Sequence, residues 1–375
     1  LNDGSFIVSW DSYGSDGSYY GIVGQKFSAQ CQRIGSEFIV NSYTDGLQST
    51  SYITSLNNGG FAVCWSSENQ DGDANGVYAQ VFNADCEKIG SEIAVNTFTV
   101  GEQIAQSISS LDNGGFVVAW QSAGQDGDSY GVYAQRYDSF GNAVGSEQQL
   151  NQTTISGQNN VNILGLDNGG YIAVWGSKGQ GTDHYEIVAR IIDAEGICGD
   201  EILINEQEMY DTNRIPVIEK LSGGQLLVAW ESYIDSENYY DIDARIISQS
   251  GELLGSQFTV NSYREGWQRE VQLSAGNDNR IVVSWESVGQ DGSSTGIYAR
   301  VMQLRNTYVG DIAPAANSED KKTTYLYSEG DGDDEWVRIA EVDSEGYVTE
   351  FIHDAVGNVI NEINYATAID LDNLL

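Results

Sequence analysis

Six tryptophans, Trp10, Trp65, Trp120, Trp175, Trp230 and Trp285, stand 55 residues apart, and one further step of that size reaches Trp336. A stride this constant marks a chain built from copies of one unit. The position four before each Trp is also apolar: Phe6, Phe61, Phe116, Tyr171, Leu226 and Ile281. A length of 375 residues accommodates six full copies and most of a seventh, starting near residues 1, 56, 111, 166, 221, 276 and 331. Departures from register are few. The fourth copy loses a residue before Cys198 and regains it by Arg214, and the seventh is shortened between Val342 and Gly357.

The same order recurs inside each copy. In the third, a turn at Leu111-Asp112-Asn113-Gly114-Gly115 precedes the apolar run Phe116-Val117-Val118-Ala119-Trp120, whose continuous hydrophobicity predicts a strand covered on both faces. A polar loop, Gly124 to Gly131, leads into the alternating segment Val132 to Tyr137. The turn at Phe140-Gly141-Asn142 and a third strand ending near Leu150 follow, and a fourth strand, near Val161 to Leu166, leads into the next copy. Four short strands in a unit of this size predict a propeller blade. The expected fold is therefore all-β: a single seven-bladed β-propeller of four-stranded blades over residues 1–375. One bulky indole per blade, wedged against the next blade, is the structural reading of the Trp series; exposed indoles stacking on sugars would be the functional one. The first copy begins at its turn and so lacks the innermost strand. Residues Thr367 to Leu375 are expected to complete it, or else an open edge remains for another chain.

Composition agrees with many short strands: 43 Gly against 2 Pro, with 22 Tyr, 10 Phe and 8 Trp. A formal charge of −38 excludes a protein that grips nucleic-acid backbone or an anionic membrane surface, and makes cations natural partners. The apolar fraction of 40% is enough to build cores, and no apolar run is long enough to span a bilayer as a helix. The chain opens on Leu1 in mid-motif, which reads as a processed or excerpted segment whose targeting signal lies outside it.

The pattern Leu-x-Asn-Gly-Gly-Phe-x-Val-x-Trp, then Gln-Asp-Gly-x-x-x-Gly-Val-Tyr-Ala-Gln-x-Phe, then Ile-Gly-Ser-Glu-x-x-Val-Asn resembles tandem repeats of large secreted or surface-anchored proteins of bacteria and protists. Those resemble integrin-type and kelch-type β-propellers in layout. The likeness implies an extracellular adhesive or structural role, often with calcium, and supplies no catalytic residue.

The loop after the Trp strand is the candidate metal site. It carries Asp71 and Asp73 in the second copy and Asp126 and Asp128 in the third, with Asp16 and Asp291 in the first and sixth. Paired carboxylates with Gly between them supply hard oxygens for Ca²⁺; the competing reading is that Asp-Gly steps only make turns. Arg190, Arg245 and Arg300 share one register and are expected to form structural ion pairs, with Glu231 and Glu286 as partners. Cys31 and Cys86 also share a register, at turns too far apart to bridge, so free or intermolecular thiols are expected. Asn151-Gln152-Thr153 is a glycosylation sequon expected in an accessible loop. With two His and no nucleophile elbow or zinc-protease motif, triad and metalloprotease chemistry are not indicated.

These features together predict a non-enzymatic extracellular or cell-surface module, structural or adhesive, that self-associates head to tail into a fibre or contacts other surface proteins and glycans. A second reading is a calcium-dependent carbohydrate-binding module, drawn from the Asp-Gly loops and the pairs Tyr19-Tyr20 and Tyr239-Tyr240. A third is a polysaccharide-active enzyme.

Overall fold

The computed structural model describes residues 1–179, 181, 184–206, 212–234, 239–276, 280–292, 294–303, 337–342, 348–353 and 359–364. Six antiparallel sheets follow one another along the chain, and from the second on each takes its first strand from the end of one copy and the rest from the next. Blade one is β1 (Phe6–Tyr13), β2 (Tyr20–Phe27) and β3 (Arg33–Ile39). Blade two is β4 (Gln48–Ser55), β5 (Phe61–Glu68), β6 (Asn75–Phe82) and β7 (Lys88–Ala94); blade three is β8 (Gln103–Ser110), β9 (Phe116–Ala123), β10 (Tyr130–Tyr137) and β11 (Ala143–Gln149). Blade four is β12 (Gln158–Gly165), β13 (Tyr171–Lys178), β14 (Tyr185–Ile192) and the short β15 (Ile202–Leu203), where the copy drops out of register. Blade five is β16 (Thr212–Lys220), β17 (Leu226–Ile234), β18 (Tyr239–Ile247) and β19 (Leu253–Thr259), and blade six is β20 (Gln268–Ala275), β21 (Arg280–Val288) and β22 (Thr295–Gln303).

The fold is thus an all-β propeller of six blades with three or four strands each, and the expectation of seven four-stranded blades is corrected. A last sheet, β23 (Val337–Val342), β24 (Val348–His353) and β25 (Val359–Asn364), does not repeat the unit. In the blades the Trp is the fifth residue of its strand, or the sixth in β21, whereas β23 begins only after Trp336. Trp336, the seventh step of the Trp ladder, lies outside the described residues. Thr367 to Leu375, expected to complete blade one, lie outside the described residues. The chain divides into two compact units, Leu1–Ile218 and Glu219–Leu375, with the boundary inside β16.

Within the first unit the logic of the unit is visible. Trp120 and Phe116 of blade three pack with Ala62, Cys64, Val77 and Ala79 of blade two, and Trp175 and Tyr171 of blade four pack with Val117, Ala119, Val132 and Ala134 of blade three. Trp65, Trp120, Trp175 and Trp230 are completely buried, so the structural reading of the Trp series holds for them. Inner strands β4, β8 and β12 run beside one another, and polar side chains stitch them: Ser110 N donates to Thr54 Oγ1 at 3.1 Å, and Ile163 N to Ser107 Oγ at 3.2 Å. The approach is so close at Gly165 that a Cβ there would meet the Ser110 carbonyl oxygen at 2.1 Å.

Candidate functional site

Each Asp-Gly loop closes a hairpin between a Trp strand and its successor. Gly17, Gly72, Gly127 and Gly292, following the Asp, have φ of 97°, 103°, 100° and 80°, the left-handed backbone that the turn requires. The carboxylate then folds back onto a second Gly: a Cβ at Gly21, Gly76, Gly131 or Gly296 would stand 2.5, 2.6, 2.7 or 3.1 Å from the Oδ2 of Asp16, Asp71, Asp126 or Asp291. This accounts for the spacing Asp-Gly-x-x-x-Gly.

Those carboxylates have partners in the protein. Asn41 Nδ2 donates to Asp16 Oδ2 at 2.7 Å, Asn96 Nδ2 to Asp71 Oδ2 at 3.2 Å and Asn151 Nδ2 to Asp126 Oδ2 at 2.8 Å. The same Asn oxygens accept the backbone N–H of Ile22, Val77 and Val132, and the same amides also reach Gln48, Gln103 and Gln158 at the start of the next inner strand. Blade five repeats the scheme with Asp241 and Asn261. Asp73 and Asp128 serve the neighbouring crossover, accepting from Gly101 N at 3.0 Å and Ser156 N at 2.8 Å. Among the described residues no group of three or more His, Cys, Asp or Glu side chains gathers as a metal site would. Asn151 is only 3% exposed, contrary to the accessible loop expected for the sequon, so its amide could take a glycan only before folding.

The arginines, expected to form ion pairs with Glu231 and Glu286, are each seen to donate to backbone carbonyls. Arg190 Nε donates to Gly199 O at 2.6 Å and its Nη1 to Leu150 O at 2.6 Å; Arg245 Nε donates to Gly255 O at 2.9 Å and Arg300 Nη1 to Val260 O at 2.5 Å. Gln80 and Gln135, in the same register, also span the outer-strand bulge through backbone carbonyls. All four cysteines are free, and burial pushes the Cys64 thiol up to about 12.

A second set of acceptors lies one residue past Trp10, Trp65, Trp120 and Trp230. Asp11 Oδ2 accepts Thr50 N at 3.1 Å, Ser66 Oγ accepts Ala105 N at 3.0 Å, and Glu231 Oε1 accepts Glu270 N at 2.8 Å. These N–H groups belong to a bulge in the inner strands, and Thr50, Asn160, Ile215 and Glu270 there have φ of 60°, 55°, 50° and 55°. Asp11 is exposed as a residue, and desolvation by the neighbouring protein raises its carboxyl above the ordinary range, with the Thr50 N–H pulling the other way.

Beyond Asp11 on the same face of β1 stands Tyr13, two residues along the strand. It pairs with Tyr20 across the hairpin, and the rings of Tyr13, Tyr19 and Tyr20 meet edge to face at 5.3, 5.6 and 5.7 Å between centroids. Tyr13 and Tyr19 are 68% and 57% exposed, so this trio projects into water rather than into a core. Sequence alone flagged Tyr19 and Tyr20; Tyr13 joins them only through the hairpin register.

No protein-family model matches the chain, and no curated protein matches it. Solved structures do match. A protein of unknown function from Dyadobacter fermentans aligns at 12% identity and a TM-score of 0.51, over 85% of this chain and 92% of that one. The endo-arabinase of Bacteroides thetaiotaomicron aligns at 13% identity and a TM-score of 0.40 over 81% and 97%. The α-L-arabinofuranosidase of Fusarium graminearum in complex with an iminosugar inhibitor aligns at 10% identity and a TM-score of 0.44 over 77% and 88%. At such identities the likeness shows a β-propeller layout with repeated blades and nothing finer. The expected non-enzymatic adhesive or fibre-forming module is not what these matches point to: the two enzymes just described are an endo-arabinase and an α-L-arabinofuranosidase, activities that belong to those proteins. Among the described residues no helix is long and apolar enough to cross a membrane.

Proposed function

We propose that this protein binds polysaccharide at its exposed hairpin tips and cleaves glycosidic bonds there, with Asp11 as the proton donor. The observation that carries the reading is the Tyr13-Tyr19-Tyr20 trio. Three aromatic rings held in mutual contact outside any core are costly to leave in water, and their flat apolar faces match the C–H face of a sugar ring. Asp11 supports the chemical half. A carboxyl raised by desolvation keeps its proton further toward neutral pH than an ordinary aspartate, which suits protonation of a departing sugar oxygen while a water molecule adds to the anomeric carbon and gives up its proton to solvent. Its place on the face of Tyr13, about 7 Å along the strand, puts it within a sugar unit of the stacking surface. A polymeric sugar substrate also supports action outside the cell.

Incubation with a panel of soluble polysaccharides, read by release of reducing ends or of unsaturated products, tests this directly. Cleavage of at least one polymer is expected, reduced about a hundredfold in Asp11→Asn and weakened in binding by Tyr13→Ala. Cleavage undiminished in Asp11→Asn removes that residue from the mechanism, and an unreactive panel removes the enzymatic reading.

A further inference from the structure

Blade five carries a second aromatic group in the register of the first, and this one is braced. Tyr233 and Tyr240 face each other across the β17–β18 hairpin with centroids 4.9 Å apart. Tyr240 meets the indole of Trp267 edge-on, 6.3 Å away at 89°, and a parallel backbone bridge joins the same two residues. The Arg269 guanidinium lies 4.8 Å from the centre of the indole and is itself held by Glu286 Oε2 at 3.4 Å. Val288 N donates to the Trp267 carbonyl at 3.0 Å, fixing the backbone.

With all this support Trp267 remains 43% exposed, unlike the buried Trp of the blades. Nothing in the repeat calls for an indole here, since the same position holds Leu47, Glu102, Gly157 and Thr212 in other copies. A large ring fastened on one side and presented to solvent on the other is pre-organised for a flat ligand, because little freedom is left to lose on binding. We propose that Trp267 is a stacking subsite for an uncharged sugar ring of a neutral polysaccharide. The proposal rests on the polysaccharide reading above and adds the substrate class. Charge decides against an acidic sugar: Arg269 is already paired with Glu286, Arg264 with Asp241 at 3.3 Å, and Glu265 and Glu270 lie in the same stretch of a chain with net charge −38. A uronate would meet the repulsion of Glu265 and Glu270, and the two arginines described beside the ring each already face a carboxylate, whereas hydroxyl groups find acceptors.

Affinity electrophoresis of the full chain in gels holding arabinan, xylan, mixed-linkage glucan or polygalacturonate tests the site. Retardation is expected from at least one neutral polymer and not from polygalacturonate, falling at least tenfold in Trp267→Leu and persisting in Trp267→Tyr. The Leu variant uses the residue that another copy carries at this position, so folding is preserved. The retarding polymer should also shield the exposed indole from acrylamide quenching in wild type, and that protection should vanish in the Leu variant. Retardation of Trp267→Leu equal to wild type, stronger retardation by polygalacturonate, or none by any neutral polymer overturns the proposal. Loss of retardation in Trp267→Leu with no polymer cleaved leaves the subsite standing and sinks the enzymatic reading; cleavage abolished by Asp11→Asn with retardation unmoved in Trp267→Leu does the reverse.

Discussion

Trp65, Trp120 and Trp175 are fully buried, yet none of their indole Nε1 donors has a hydrogen-bond partner. The indole is therefore kept for its volume, at the cost of an unsatisfied donor. Trp120→Phe should accordingly destabilise much less than Trp120→Ala, by about 1 kcal/mol against about 3 to 5, as read from urea midpoints at constant m. Asp11 makes a pH prediction. Its folded carboxyl is raised, so just above the ordinary carboxylate range the native protein holds a proton that the unfolded chain has released, and stability falls as pH rises through that window. Asp11→Asn should remove that part of the slope, and an unchanged pH profile of the urea midpoint would show that the group titrates normally. Single residues were only partly legible in the sequence. The Trp ladder is visible because one large ring per unit recurs without exception, whereas Arg190 and Arg300 look like ion-pair residues until the fold shows carbonyls within their reach.

Between residue and molecule, the recurring device is the chain of polar groups at each crossover. Asn151 takes the Val132 N–H, gives its amide to Asp126 and Gln158, and so ties the loop, the second strand of one blade and the inner strand of the next. Removing the carboxylate in Asp126→Ala leaves part of a buried amide unpaired and is expected to cost about 1 to 3 kcal/mol, whereas Asp128→Ala, whose partner Ser156 N is exposed, should cost less. Thermal unfolding of the two variants compares them. The Gly-Ser-Glu motif has a similar purpose: Glu92 accepts Ser42 N at 2.6 Å and Glu147 accepts Thr97 N at 2.7 Å, each reaching the preceding crossover. Sequence showed these Asn and Glu only as fixed positions of the recurring Ile-Gly-Ser-Glu-x-x-Val-Asn pattern. Their burial was hidden because a hydrogen-bonded Asn inside a blade and a solvated Asn in a turn have the same one-dimensional pattern. The aromatic tips were half visible for a related reason: Tyr19-Tyr20 and Tyr239-Tyr240 are adjacent in the chain, but Tyr13, Tyr233 and Trp267 reach them only through strand pairing.

For the molecule as a whole, period arithmetic counts copies and cannot tell whether each keeps its strand register. Trp336 satisfies the count, yet six blades stand where seven were expected. The charge of −38 is in part an inventory of acceptors spent on backbone N–H groups and Asn amides. Since Asp16, Asp71 and Asp126 are engaged in this way, adding EDTA is expected to leave the melting temperature unchanged; a clear drop would place Ca²⁺ in the loops. The crossovers carry one more consequence. In most serial architectures the links between modules are where proteases cut and where the array flexes, but here the links after blades one, two and three are laced by Asn, Asp and Gln into the sheets they join. Wear should fall instead on the outlying hairpin ends, so the surfaces offered to ligand are also the ones this protein can most readily vary without loosening its frame.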